Sequence, residues 1–117
     1  MIHVYGIPNC DSVKKALQWL KVQQVPHQFH DFKKEGVTKA QLENWLKQTS
    51  AAKLVNKKGT TWRALSAEEQ AQADTKKGAV ALMMEKTSVI KRPVLLKDEQ
   101  VIAVGYDEQL YAEKLKG

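Results

Sequence analysis

The chain has 117 residues, 19 lysines and arginines against 13 aspartates and glutamates, and 43% hydrophobic residues. That length fits one domain with its own core, and a charged fraction of 27% is the ordinary globular value, which excludes a disordered polyelectrolyte. No apolar run approaches the roughly 20 residues of a membrane-spanning helix, and no basic-then-apolar leader opens the chain, so a cytoplasmic protein that engages no membrane is expected.

Ile2, Val4 and Tyr5 around His3 make a β-prone run over residues 2–5, ended by Gly6 and Pro8. From Asp11 the period changes. Val13, Ala16, Leu17 and Leu20 fall at i, i+3, i+4 and i+7, the apolar stripe of a helix reaching about Gln23. Pro26 separates it from a second strand, about Gln28 to Phe32. Strand, helix and strand at these spacings form a βαβ unit, whose two strands should be parallel with a right-handed crossover. Thr38 and Gln41 form a capping-box pattern ahead of Leu42, Trp45 and Leu46. Ser66 and Glu69 repeat it and open a short helix over about 67–73, and a further helix over about 76–86 carries Val80, Leu82 and Met83. Residues 38–86 therefore read as a helical insertion within one domain, 1–117. Pro93–Leu96 and Val101–Val104 are β-rich runs that predict an antiparallel hairpin, and Asp107 can cap a final helix bearing Leu110, Tyr111 and Leu115. The order β-α-β, helical insertion, β-β-α predicts an α/β, thioredoxin-like fold with a mixed four-stranded sheet. With no broad apolar surface stripe, a monomer is expected.

The net charge of +6 is spread in pairs, Lys14-Lys15, Lys33-Lys34, Lys57-Lys58 and Lys76-Lys77. No run reaches the five or six like charges of a nucleic-acid tail, and aromatics do not alternate with basic residues, so no nucleic-acid partner is expected. A lysine-rich surface remains compatible with an anionic small substrate. His3, His27 and His30 read as strand or surface residues rather than metal ligands, and no metal site is expected.

The single cysteine, Cys10, excludes an internal disulfide framework, a C-x-x-C redox pair and a cysteine-rich zinc site. It lies between a Gly/Pro loop and the start of an amphipathic helix, where unpaired N–H groups and the positive dipole end favour a thiolate. Lys14 and Lys15 would add to this, Asp11 would oppose it, and Asn9 and Ser12 can donate hydrogen bonds to the sulfur. A lone cysteine can also be a small buried hydrophobe, but polar neighbours on both sides point to exposure. Val13 stands where a C-x-x-C motif would place its second sulfur, so any covalent adduct on Cys10 needs an external thiol, and glutathione is the cytosolic candidate.

Two further segments concentrate donors. In Lys91-Arg92-Pro93, a proline entering the third strand of such a sheet lies beside the first helix's N-terminus and is commonly cis. Arg92 would then project toward Cys10, able to hold a carboxylate or oxyanion bidentately. A strand-initiating proline with a surface arginine is the alternative. Asn56-Lys57-Lys58-Gly59-Thr60-Thr61-Trp62-Arg63 predicts a loop whose cations and hydroxyls can hold an anion, with Trp62 as its core anchor. Trp19 and Trp45 read as helix-face residues, and Met83-Met84 as core packing.

Tyr5-Gly6-Ile7, Asn9-Cys10-Asp11 and Val13-Lys14-Lys15-Ala16 resemble the start of the arsenate reductase (ArsC) family, in particular its YffB branch. The likeness continues through Asn56 to Arg63, Ala81-Leu82-Met83, Ile90-Lys91-Arg92-Pro93 and Val104-Gly105-Tyr106. It implies a thioredoxin-like oxidoreductase with no tightly bound cofactor that uses glutathione as co-substrate. Cys10 matches the family's nucleophile, Arg92 its oxyanion-contacting arginine, and Pro93 its cis-proline. Asn9, Ser12, Lys58 and Arg63 complete the residues expected to bind substrate or glutathione. Where the family's reductases carry two further arginines, this chain has Asn56 or Lys58 and Gly105, which favours reduction of disulfides or mixed disulfides over that of arsenate. The superfamily also contains Spx, which binds RNA polymerase and senses oxidation through C-x-x-C. An Spx-like regulator or protein-binding module without that switch is the alternative.

Overall fold

In the computed structural model, which describes residues 1–115, the chain runs β1 (Ile2–Gly6), α1 (Asp11–Val22), β2 (His27–Asp31), α2 (Phe32–Glu35), α3 (Lys39–Gln48), α4 (Ala51–Leu54), α5 (Thr60–Arg63), α6 (Ala67–Ala71), α7 (Lys76–Glu85), β3 (Val94–Lys97), β4 (Gln100–Val104) and α8 (Glu108–Leu115). Single 3-10 turns lie at Gln72–Asp74 and Thr87–Val89. The chain divides into two compact units, Met1–Glu35 with the segment from Arg92 onward, and Gly36–Lys91. No helix among the described residues is long and apolar enough to cross a membrane.

The first unit holds a four-stranded mixed sheet in the order β2-β1-β3-β4. β1 pairs with β2 in parallel, from Ile2↔His27 to Gly6↔Asp31, as the βαβ spacing requires. β3 runs antiparallel to β1, and β4 antiparallel to β3 with a register irregularity between Leu95 and Leu96. The hairpin turns at Asp98, whose φ of +57° is a conformation a short polar side chain tolerates. Ile2 and Val4 point into a cluster with Ala16, Trp19 and Leu20 of α1, Leu95, Ala103, and Tyr111 of α8. Each large side chain fully buried there contributes about 1.5–3 kcal/mol of transfer free energy.

Strand alternation sends His3 and Tyr5 to the opposite face of β1. His3 Nδ1 lies 2.9 Å from His30 Nε2, His30 Nδ1 lies 3.1 Å from Glu35 Oε1, and Tyr5 stacks on His30 at 4.4 Å. The histidine pair is thus formed across strands, while His27 Nδ1 faces the Val25 carbonyl at 2.8 Å. The expected second strand stops at Asp31 instead of running through Phe32. Asp31 Oδ1 accepts from the Lys33 amide at 2.9 Å and Glu35 Oε2 from the Asp31 amide at 3.2 Å, so local side-chain bonds turn the backbone into α2.

In the second unit both capping boxes form. Thr38 Oγ1 accepts from the Gln41 amide at 3.1 Å, Ser66 Oγ from the Glu69 amide at 3.2 Å, and Gln41 and Glu69 return the bonds. The helix expected over 67–73 ends as α-helix at Ala71 and continues as the 3-10 turn. Trp45, Leu42, Leu54, Leu82, Met83 and Ile90 are buried, and an isolated bridge joins Val55 to Ile90. Two expectations change. The segment Asn56–Arg63 is not a loop throughout, because Thr60–Arg63 forms a helical turn with Gly59 as N-cap and Trp62 buried. Met84 is 44% exposed, so of the Met83-Met84 pair only Met83 packs in the core.

Candidate active site around Cys10

Cys10 is the N-cap of α1, with extended backbone (φ −138°, ψ 126°) and its carbonyl accepting the Lys14 amide at 2.9 Å. The apolar stripe of α1 anchors that helix against β1, and the sulfur is thereby set at the helix start, half-buried. Partial burial by itself opposes ionisation of the thiol. It is outweighed by the Val13 amide, by the hydrogen bonding and positive charge of the Arg92 guanidinium, and by the Ser12 amide. The thiol is consequently held below its ordinary value, which populates the nucleophilic form nearer neutrality.

Gly6 makes this convergence possible. A Cβ there would fall 2.7 Å from Val13 Cγ2 and 3.8 Å from Arg92 Cβ, so only glycine lets the end of β1 approach the first turn of α1. Val13 is fully buried and stiff at χ1, so it cannot swing aside. Gly6→Ala is expected to lose about 1–3 kcal/mol in chemical denaturation, as overpacked cores do. A variant as stable as the parent would show that the contact is soft.

The Arg92–Pro93 peptide bond is cis, Arg92 is half-buried and Pro93 is buried. The structure brings together Cys10, Ser12 and Arg92, with Asn9 exposed immediately before the cysteine and Pro93 immediately after the arginine. Ser12 acts through its backbone amide. Lys14, Lys15 and Asp11 are exposed, and the charge that favours the thiolate is that of the half-buried Arg92. Lys58 and Arg63 belong to the second unit. Lys58 is exposed in a turn where its amide donates to Asn56 Oδ1 at 3.2 Å, and Arg63 is exposed at the end of α5. Gly105 has φ +91°, a conformation that L side chains rarely adopt. The Cys10 side chain makes no capping hydrogen bond, and the Val13 amide, at the third helical position, acts on the sulfur as a dipole directed toward the helix start. Among the described residues no group of three or more His, Cys, Asp or Glu is arranged to hold a metal ion.

A thiolate-favouring cysteine at the first helix of a β2-β1-β3-β4 mixed sheet is the arrangement of a thioredoxin-like protein. The chain belongs to the ArsC family, whose model matches residues 5–114. It is 40% identical over 111 residues to an uncharacterized protein of Haemophilus influenzae, covering 95% of this chain and 96% of that one. The solved structure of the YffB protein is similar at a TM-score of 0.91 and 35% identity, over 98% of this chain and 99% of that one. The global transcriptional regulator Spx of Staphylococcus saprophyticus is 24% identical over 110 residues, covering 92% of this chain and 82% of its own.

Proposed function

We propose that this protein is a glutathione-dependent thiol oxidoreductase working through one cysteine. The observation that carries this is the placement of Cys10 as N-cap of α1 beside Arg92, whose charge and hydrogen bonding favour the thiolate. The Cys10 thiolate attacks the glutathione sulfur of a mixed disulfide RS–SG. A Cys10–SG disulfide forms, the RS–SG bond breaks, and RS⁻ leaves and takes a proton from water. With one cysteine in the chain, no internal thiol can discharge the adduct. A second glutathione, as thiolate, attacks the glutathione sulfur of Cys10–SG, releasing the Cys10 thiolate and glutathione disulfide. The net change reduces RS–SG to RSH and oxidises glutathione to its disulfide, two electrons in all. Arg92, whose planar fork matches a carboxylate, both stabilises the thiolate and orients a glutathione carboxylate. Asn9 and Ser12 line the approach to the sulfur, and Pro93 fixes the chain behind Arg92. No bound cofactor is required.

The test is the rate at which glutathione disulfide modifies Cys10, followed by intact mass across a pH series. Modification with a midpoint well below about 8.5, the ordinary thiol value, is expected. A slow reaction tracking an ordinary thiol would discard the enzyme in favour of a second function, a protein-binding regulator, which the likeness to Spx supports. Val13 at the place of a second cysteine means that such a regulator would act without a disulfide switch.

A further inference from the structure

We infer that Tyr111 is a positioning residue for the Cys10 nucleophile, holding Arg92 in place through Gly105 and Pro93; the inference rests on the proposed role of Cys10. The ring of Tyr111 is fully buried, edge-on to Trp19 at 5.6 Å and to Tyr106 at 5.5 Å. A phenylalanine would satisfy that packing equally, so the packing does not account for the hydroxyl. The hydroxyl donates to the Gly105 carbonyl at 2.7 Å, a buried bond. On its other side Gly105 donates its amide to the Pro93 carbonyl at 2.8 Å. The β3–β4 ladder makes its last pair at Val94↔Val104, so this bond extends it by one residue, to the Pro93–Val94 peptide, with Arg92 the next residue back along the chain. Gly105 bends through φ +91° at that point, where strand geometry no longer holds it, and the phenol supplies the missing restraint. Arg92 in turn supplies the charge and hydrogen bonding that favour the Cys10 thiolate. Burial holds the Tyr111 phenol far above its ordinary value, so the donor persists throughout the titration of the thiol.

The chain of contacts has a signature distinct from simple destabilisation. In Tyr111→Phe, the pH midpoint of Cys10 alkylation by iodoacetamide should rise by about 0.5 unit, about a threefold loss of thiolate below the midpoint. Trp19→Phe, which loosens the same aromatic cluster without touching the hydroxyl, should leave the midpoint in place. Arg92→Met should raise it further than Tyr111→Phe, and the double variant should go no further than Arg92→Met alone. A midpoint in Tyr111→Phe equal to the parent's would make Tyr111 structural only and overturn the inference. So would additive shifts, because Tyr111 would then act by a route other than Arg92. Gly105→Ala, which strains the same link without altering the phenol, should shift the midpoint in the same direction; if Tyr111→Phe does not fold, an unmoved midpoint in Gly105→Ala overturns the inference. All of these read alkylation rather than turnover. Absence of glutathione-dependent reduction in the parent protein would therefore defeat the proposed function while leaving the positioning result standing or falling by itself.

Discussion

Cys10→Ser is expected to reduce glutathione-dependent cleavage of a mixed disulfide to the uncatalysed rate, a loss of about 10³-fold or more. The chain contains no second thiol to take over the attack. A serine hydroxyl in the same place keeps its proton at neutral pH, because the Val13 amide and Arg92 that favour a thiolate fall far short of ionising an alcohol. The side chain is half-buried and nearly isosteric, so stability should change by no more than about 0.5 kcal/mol at low pH. Retained turnover in a folded Cys10→Ser protein would remove the cysteine from the mechanism.

The same variant exposes the thiolate in equilibrium stability. The folded thiol is lowered relative to the unfolded chain, so the folded state binds its proton less tightly. The unfolded state therefore carries more protons between the two values, and stability relative to Cys10→Ser rises with pH in that window. The gain is absent below the folded value and complete above the ordinary thiol value. Urea denaturation of both proteins across the window reads it directly, and parallel curves would show an ordinary thiol.

The elements that place the site were legible because each rests on a strong local signal. The change of period at Asp11 marks α1, and the two capping boxes mark α3 and α6 by the bonds they form. The position of Cys10 followed from that change of period together with the Gly6 and Pro8 loop before it. The four-residue helices α2, α4 and α5 were not legible, since one turn carries no hydrophobic period. Arg92 came into view through fold likeness rather than pattern, as a side chain distant in sequence is brought to the sulfur only by β3 lying beside β1. The roles of Gly6 and Tyr111 were hidden for a further reason. One depends on a missing Cβ and the other on a hydroxyl within an aromatic cluster, and neither leaves a trace in composition or spacing.

Arg92 should separate charge from geometry. Arg92→Met keeps a long apolar stem but deletes the guanidinium, so two of the influences that favour the Cys10 thiolate vanish while partial burial continues to oppose it. The alkylation midpoint should therefore climb toward or past the ordinary thiol value, and the rate at neutral pH should fall by about tenfold for each unit. Arg92→Lys retains a positive charge near the sulfur and should recover part of the midpoint. It cannot recover the planar pair of N–H donors that a carboxylate accepts from, so the KM for glutathione should rise about tenfold even where the thiol is restored, the worth of one charge-assisted hydrogen bond. The two readouts move independently only if one guanidinium serves both the thiolate and the tripeptide. A lysine variant with parental KM would leave Arg92 as an electrostatic neighbour of Cys10 alone, and the carboxylate of glutathione would have to be met elsewhere.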